Sequence, residues 1–366
     1  MTAAPSTSRT GAPAWPWLFS PAIDLIAFLG SCAISLLVLA WGARHGLLEQ
    51  SEPPEWTWVA MILLVDVAHV YATGFRVYFD RQELSRRPLL YAGVPVACFV
   101  LSMAVYSESE LQFWRLMAYL AVFHFVRQQY GWVVLYRARA NETSAWGKRI
   151  DAAAIYLATI YPLVHWHASL PRRFSWFVPN DFYALPPWTA RVALTLYVVA
   201  LTAYAVKSAR AWAVGRPNPG KDVVLITTAV CWYVGIVACN SDFAFTVTNV
   251  VIHGVPYMVL VWWYMLRRGA QREGEATPAP ATTGGRWKAA VLLISTVWLL
   301  AYCEELVWNR AIWHEHRWLF GSDVDAEGWQ LALVPLLAVP QLTHYVLDGF
   351  IWKRSSNPDV REIVER

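Results

Sequence analysis

Residues 243–266 read FAFTVTNVVIHGVPYMVLVWWYML, an uncharged stretch with one histidine, His253, in its interior. About 20 mostly apolar residues suffice for a helix to cross the hydrocarbon of a bilayer. Nine further stretches have the same character: 23–41, 56–78, 89–106, 111–136, 150–170, 189–212, 222–239, 287–303 and 329–352. The expected fold class is therefore all-α, a polytopic membrane protein with about ten transmembrane helices in one bundle. The bundle is expected over 21–353, between a short N-terminal tail (1–20) and a C-terminal tail (354–366). Three hydrophilic or irregular loops interrupt it, at 171–188, 267–286 and 304–328.

Composition agrees. The 366 residues are 57% hydrophobic and 15% charged, against roughly 45–50% and about 25% in soluble domains. Mean hydropathy is only +0.34, because 22 Trp, 17 Tyr and 21 Pro score poorly on such scales while suiting bilayer interfaces and kinked spans. A disordered chain and a disulfide scaffold are excluded. A net charge of +4 does not make the basic face of a nucleic-acid binder, so no nucleic-acid partner is expected. The five cysteines (Cys32, Cys98, Cys231, Cys239, Cys303) form no CxxC pair and read as small buried hydrophobes. The N-terminus lacks the form of a cleaved signal peptide.

Lys and Arg orient the bundle. Clusters follow the second, fourth, sixth, eighth and tenth stretches, for example Arg81/Arg86/Arg87 and Arg137/Arg139/Lys148/Arg149, whereas the alternate connections are poor in them. This places both termini in the cytoplasm, and a bacterial inner membrane is the expected location. The loop 171–188 carries Phe174, Trp176, Phe177, Phe182 and Tyr183, and is expected to lie along the interface. Glu304 and Glu305 belong to an outer acidic loop, expected to be a solvated surface. Arg76, near a cytoplasmic helix end, is expected to snorkel. Asp24, in a first helical turn after Ser20-Pro21, suits the positive end of the helix dipole.

Ionisable groups at bilayer depth are costly, which makes them candidates for function. His69, His124, His253 and His344 lie 13, 13, 10 and 15 residues from the outer boundary residues Trp56, Leu111, Phe243 and Trp329. At 1.5 Å per residue that is roughly 15–22 Å deep, one shared level. Each histidine has polar company one helical turn away. Asp66 precedes His69, Gln128 follows His124, Asn249 and Tyr257 flank His253, and Gln341 and Asp348 flank His344.

Imidazoles with one or two carboxylates are the donors that iron, zinc or manganese takes. The four histidines, with Asp66 and Asp348, are thus the candidate metal site, iron being the first choice. Gln128, Asn249, Tyr257 and Gln341 are candidates to orient the imidazoles. Arg127 is a candidate to hold an anionic part of a substrate. An apolar mid-membrane site suits a hydrophobic small molecule, lipid or isoprenoid-like, with membrane lipid as the other partner. Two other readings use the same residues: a proton-coupled transporter relaying through the Asp/His pairs, and a structural multipass protein whose histidines bond helix to helix. The pairs His165/His167 and His314/His316 would meet a metal only in extended backbone.

The layout of His69, His124, His253 and His344, within DVAHVYATGFRVYFD, FHFVRQQYGW, NVVIHG and THYVLDGFIWK, is similar to the Brp/Blh family of carotenoid-cleaving oxygenases. The resemblance implies an integral membrane oxidoreductase with iron held by four histidines from membrane helices. It is one of layout and carries no substrate over. The histidine boxes of membrane desaturases and hydroxylases are absent.

Overall fold

The computed structural model describes residues 15–50, 52–272 and 283–365. These residues contain ten long helices and no strand: α1 (Pro21–Arg44), α2 (Glu55–Arg76), α3 (Pro88–Glu108), α4 (Glu110–Arg139), α5 (Ala145–Ala168), α6 (Trp188–Ala213), α7 (Pro219–Ala238), α8 (Asp242–Gly269), α9 (Gly284–Trp313) and α10 (Glu327–Ile351). Eight are long and apolar enough to cross a membrane. The other two, α4 and α5, are as long but are diluted by Arg115 and Arg127, and by Lys148, Arg149 and Asp151.

Local chemistry sets the helix ends. Ser20, Ser109, Ser144 and Asn218 accept bonds from first-turn amides of α1, α4, α5 and α7, satisfying donors that would otherwise be orphaned. Pro21, Pro88 and Pro219 occupy first positions, where a missing N–H costs nothing. Wide π-turns interrupt α2 over Trp58–Val67 and α8 over Thr246–Val250. Each adds a residue to the local repeat and re-aims the side chains that follow, here His69 and His253. α10 breaks at Ala338, because Pro340 has no N–H to return to Leu336.

The histidine-bearing helices α2, α4, α8 and α10 pack on one another at the centre. α8 is the most enclosed, whereas α3, α6 and α9 turn most of their apolar surface outward.

Several expectations about the segments between the helices are corrected. The chain before α1 is no free tail: Leu18 and Phe19 are buried, and Asp24 accepts their amides and that of Ser20, together with the Tyr136 hydroxyl. The C-terminal segment forms a helix, Pro358–Glu365, pinned by Asn357 Nδ2 on the Phe350 carbonyl at 2.7 Å. The loop 171–188 is partly built into the bundle. Phe174 and Phe182 enter a core cluster with Trp166, Phe125 and Ile252, while Tyr183 and Trp188 stay exposed. The expected loop 304–328 begins ten residues late, because α9 runs on to Trp313. The expected loop 267–286 is shortened by α8 and α9; of it, 273–282 lies outside the described residues, as do 1–14 of the N-terminal tail and Arg366.

Arg76 does not snorkel. It is fully buried, pairs with Glu83 at 3.2 Å and donates to the Ile351 carbonyl at 3.0 Å. Glu83 in turn accepts from Tyr91 and Arg86. A polar knot thus ties the ends of α2, α3 and α10 together beside a small apolar cluster of Val77, Tyr91, Leu347 and Ile351.

Candidate metal centre

Four rings meet in the middle of the bundle. Taken in the order His69, His253, His124, His344, their centroids stand 4.6, 5.0, 4.5 and 4.9 Å apart around a closed circuit. His253 Nε2 lies 3.1 Å from His69 Nε2, and His344 Nε2 lies 3.0 Å from His124 Nε2. One ligand atom from each of the four falls within 4.8 Å of all the others, and all four side chains are buried. Among the described residues this is the one such grouping.

Backbone features bring them together. Gly254, beside His253, lets α8 press on α2: a Cβ there would sit 2.7 Å from Val65 Cγ1 and 3.2 Å from the Val65 carbonyl oxygen. Phe125 lies flat on the His253 ring at 3.6 Å, and Tyr345 stacks on His124 at 4.7 Å. From the loop 171–188, Trp176 meets the edge of Phe125 at 5.2 Å, so that loop backs the wall of the centre.

The donor set fits a metal. At a metal–nitrogen distance of about 2.1 Å, neighbouring nitrogens stand roughly 3.0–3.4 Å apart. The two short Nε2 pairs have that separation already. Two imidazole nitrogens facing each other can share only one proton, whereas a cation between them uses both lone pairs.

The unpaired buried atoms point the same way. His69 Nδ1, Asp66 Oδ1, His253 Nδ1 and Asn249 Oδ1 all lack hydrogen-bond partners. A metal on Nε2 would leave each Nδ1 to carry the proton, with Asp66 and Asn249 one helical turn from His69 and His253. His69 Nδ1 and Asp66 Oδ1 are 3.8 Å apart.

Neither carboxylate is part of the four-histidine group itself. Asp348 lies 3.8 Å from His344 Nδ1 and 4.0 Å from His124 Nε2. Tyr257 does not serve its own neighbour His253. It donates to Asp348 at 2.7 Å and bonds Thr73 at 2.9 Å, and Thr73 reaches His344 Nδ1 at 2.7 Å. Thr73 was not among the expected residues, although it follows His69 by four, the spacing that singled out the others.

Gln128 donates to the His253 carbonyl at 2.8 Å, not to a ring. Gln341 bonds the Tyr345 hydroxyl at 2.7 Å and so braces the ring over His124. Arg127 stays exposed, on Tyr156, outside the group.

Glu304 and Glu305 are not a solvated surface. Glu305 is buried and accepts from Asn309 at 2.8 Å, and Glu304 accepts from Tyr71 at 2.6 Å. The other histidines have local employment: His167 bonds the Leu163 carbonyl, and His316 pairs with Glu55 at 2.6 Å.

No protein-family model, curated protein or solved structure matches the chain.

Proposed function

We propose that this chain is an integral membrane metalloenzyme, with one metal, iron by first choice, held by His69, His124, His253 and His344, and a hydrophobic lipid- or isoprenoid-like substrate. The observation that carries the proposal is the pair of Nε2–Nε2 separations of 3.0 and 3.1 Å between buried imidazoles. Bound iron would supply redox and oxygen-activating chemistry, and zinc or manganese would fit the same donors less selectively.

The chain's own contribution is orientation and dryness. Thr73, Tyr257 and Asp348 fix the His344 ring and hold a proton at Nδ1. Asp66 and Asn249, one turn away, are the groups that would do the same for His69 and His253 once Nε2 holds a metal. Phe125, Tyr345 and Trp176 keep water from the rings. The Lys/Arg alternation supports an orientation with both termini in the cytoplasm of a bacterial inner membrane.

Elemental analysis of the purified protein, grown with iron, zinc and manganese available, tests the proposal. About one metal per chain is expected, lost in each single His→Ala variant because an opened site binds weakly. Metal-free wild-type protein would overturn it. A second reading rests on the half-buried carboxylates Asp66 and Asp348, 3.8 Å from His69 Nδ1 and His344 Nδ1, the kind of group a proton relay uses. Proton flux coupled to solute movement in vesicles, by metal-free protein, would establish that reading.

A further inference from the structure

Two cavities outside the histidine centre adjoin one another. The first, about 790 Å³, opens among the ends of α4, α5, α6 and α7, bounded by Trp15, Arg139, Glu142, Lys207, Arg216 and Lys221. The second, about 730 Å³, is an apolar groove between α6 and α7, lined by Leu201, Ala205, Ile226, Ala229 and Val230 among others. Tyr204, Ser208 and Asp222 line both. None of the four histidines borders either cavity.

The groove exists because α6 lies along α5 rather than along α7. At the charged end, Tyr204, Ser208 and Trp212, successive turns of one α6 face, all donate to Asp222 on α7. At the far end, Tyr161 stands 5.0 Å from Tyr197 and 6.4 Å from Tyr233. The helices are thus tied at both ends and open between. From Asp222 to Val234 the groove runs about 18 Å at 1.5 Å per residue, close to the roughly 15 Å of one leaflet's hydrocarbon.

Charge decides the head. Lys207 and Lys221 bind Glu142 and Asp151, which Arg137 also bridges. That knot already has one more cation than anions. Arg139 and the exposed Arg216 also border the chamber, together with Asp222. The chamber therefore has net positive charge, directly above an acyl-length apolar slot.

We infer that these cavities form one binding site for an anionic phospholipid, its phosphate in the charged chamber and one acyl chain in the α6–α7 groove. The site is separate from the histidine centre and its test does not depend on metal.

The full-length protein is equilibrated with mixed micelles of equal phosphatidylglycerol and phosphatidylcholine, washed, and its retained lipid counted by native mass spectrometry. About one phosphatidylglycerol per chain is expected, at least about tenfold over phosphatidylcholine, the ratio that one ionic contact supplies. Ile226→Trp, which fills the groove from its lipid-facing side, lowers that retention about tenfold. Ala205→Trp fills it from α6 and does the same, so a folding defect in either variant leaves the other to decide. Arg216→Gln keeps lipid but lowers the preference between headgroups. Equal retention of the two lipids by wild-type protein, or retention untouched by both groove variants, overturns the inference. Displacement of the lipid by millimolar inorganic phosphate overturns it too, since that marks a free-anion site.

Discussion

His344 Nε2 lies 3.0 Å from His124 Nε2, although 220 residues of chain separate them. Burying two imidazoles nitrogen to nitrogen in an apolar bundle costs free energy unless a shared proton or a cation lies between them. The 3.1 Å contact between His253 and His69 repeats the arrangement beside it, and a single ion would answer both.

Thr73 gives the sharpest separation of roles. Its hydroxyl links Tyr257 to His344 Nδ1, so Thr73→Val removes the partner that orients the ring without removing a donor to metal. Metal affinity should fall about 10–100-fold, while direct loss of His344 should leave no measurable site. Titration with a competing chelator checks the order of the two variants.

Gly254 is a packing requirement. Gly254→Val drives a branched side chain into Val65 on α2, so α8 must back away and carry His253 from the group. Helix content by circular dichroism should survive, and bound metal should not. Metal retained at the wild-type ratio would show that the close approach is dispensable.

Arg76 and Glu83 form a buried pair. Arg76→Met removes the fully buried partner of Glu83 while Arg86 and Tyr91 stay on the carboxylate, so the expected cost lies below the roughly 3–5 kcal/mol of a buried charge left alone. Adding Glu83→Gln should recover part of that loss. Denaturation of the two single variants and the double variant measures the coupling directly.

Glu142 supplies a pH signature outside the spans. Burial pushes its carboxyl up, but Lys221 and Lys207 outweigh that and hold it below the usual range. A depressed carboxylate contributes stability above its unfolded value, and the contribution disappears as pH falls through the folded value. The gap in melting temperature between wild type and Glu142→Gln should therefore be full at pH 7 and close below about pH 4, beneath the ordinary glutamate value. A gap undiminished at pH 3 would contradict the assignment.

The sequence by itself determined the helices and the candidates. Uncharged runs such as 243–266 leave a chain in lipid no means but helix to satisfy its backbone. The cost of polar groups among apolar ones singled out His69, His124, His253 and His344. Spacing along one helix could not say whom each neighbour serves, because that depends on helices elsewhere in the chain. Tyr257, one turn from His253, turns instead toward Asp348 and Thr73. Arg76 and Glu305 read as groups bound for water, yet lie buried because partners from other parts of the chain or the next helical turn meet them. Only the tertiary structure closed the ring of imidazoles, through π-turns in α2 and α8 that re-aim the side chains after them and through the contact at Gly254. Helical repeat and hydrophobicity are local properties, whereas the direction in which a buried polar group finds its partner is set by packing.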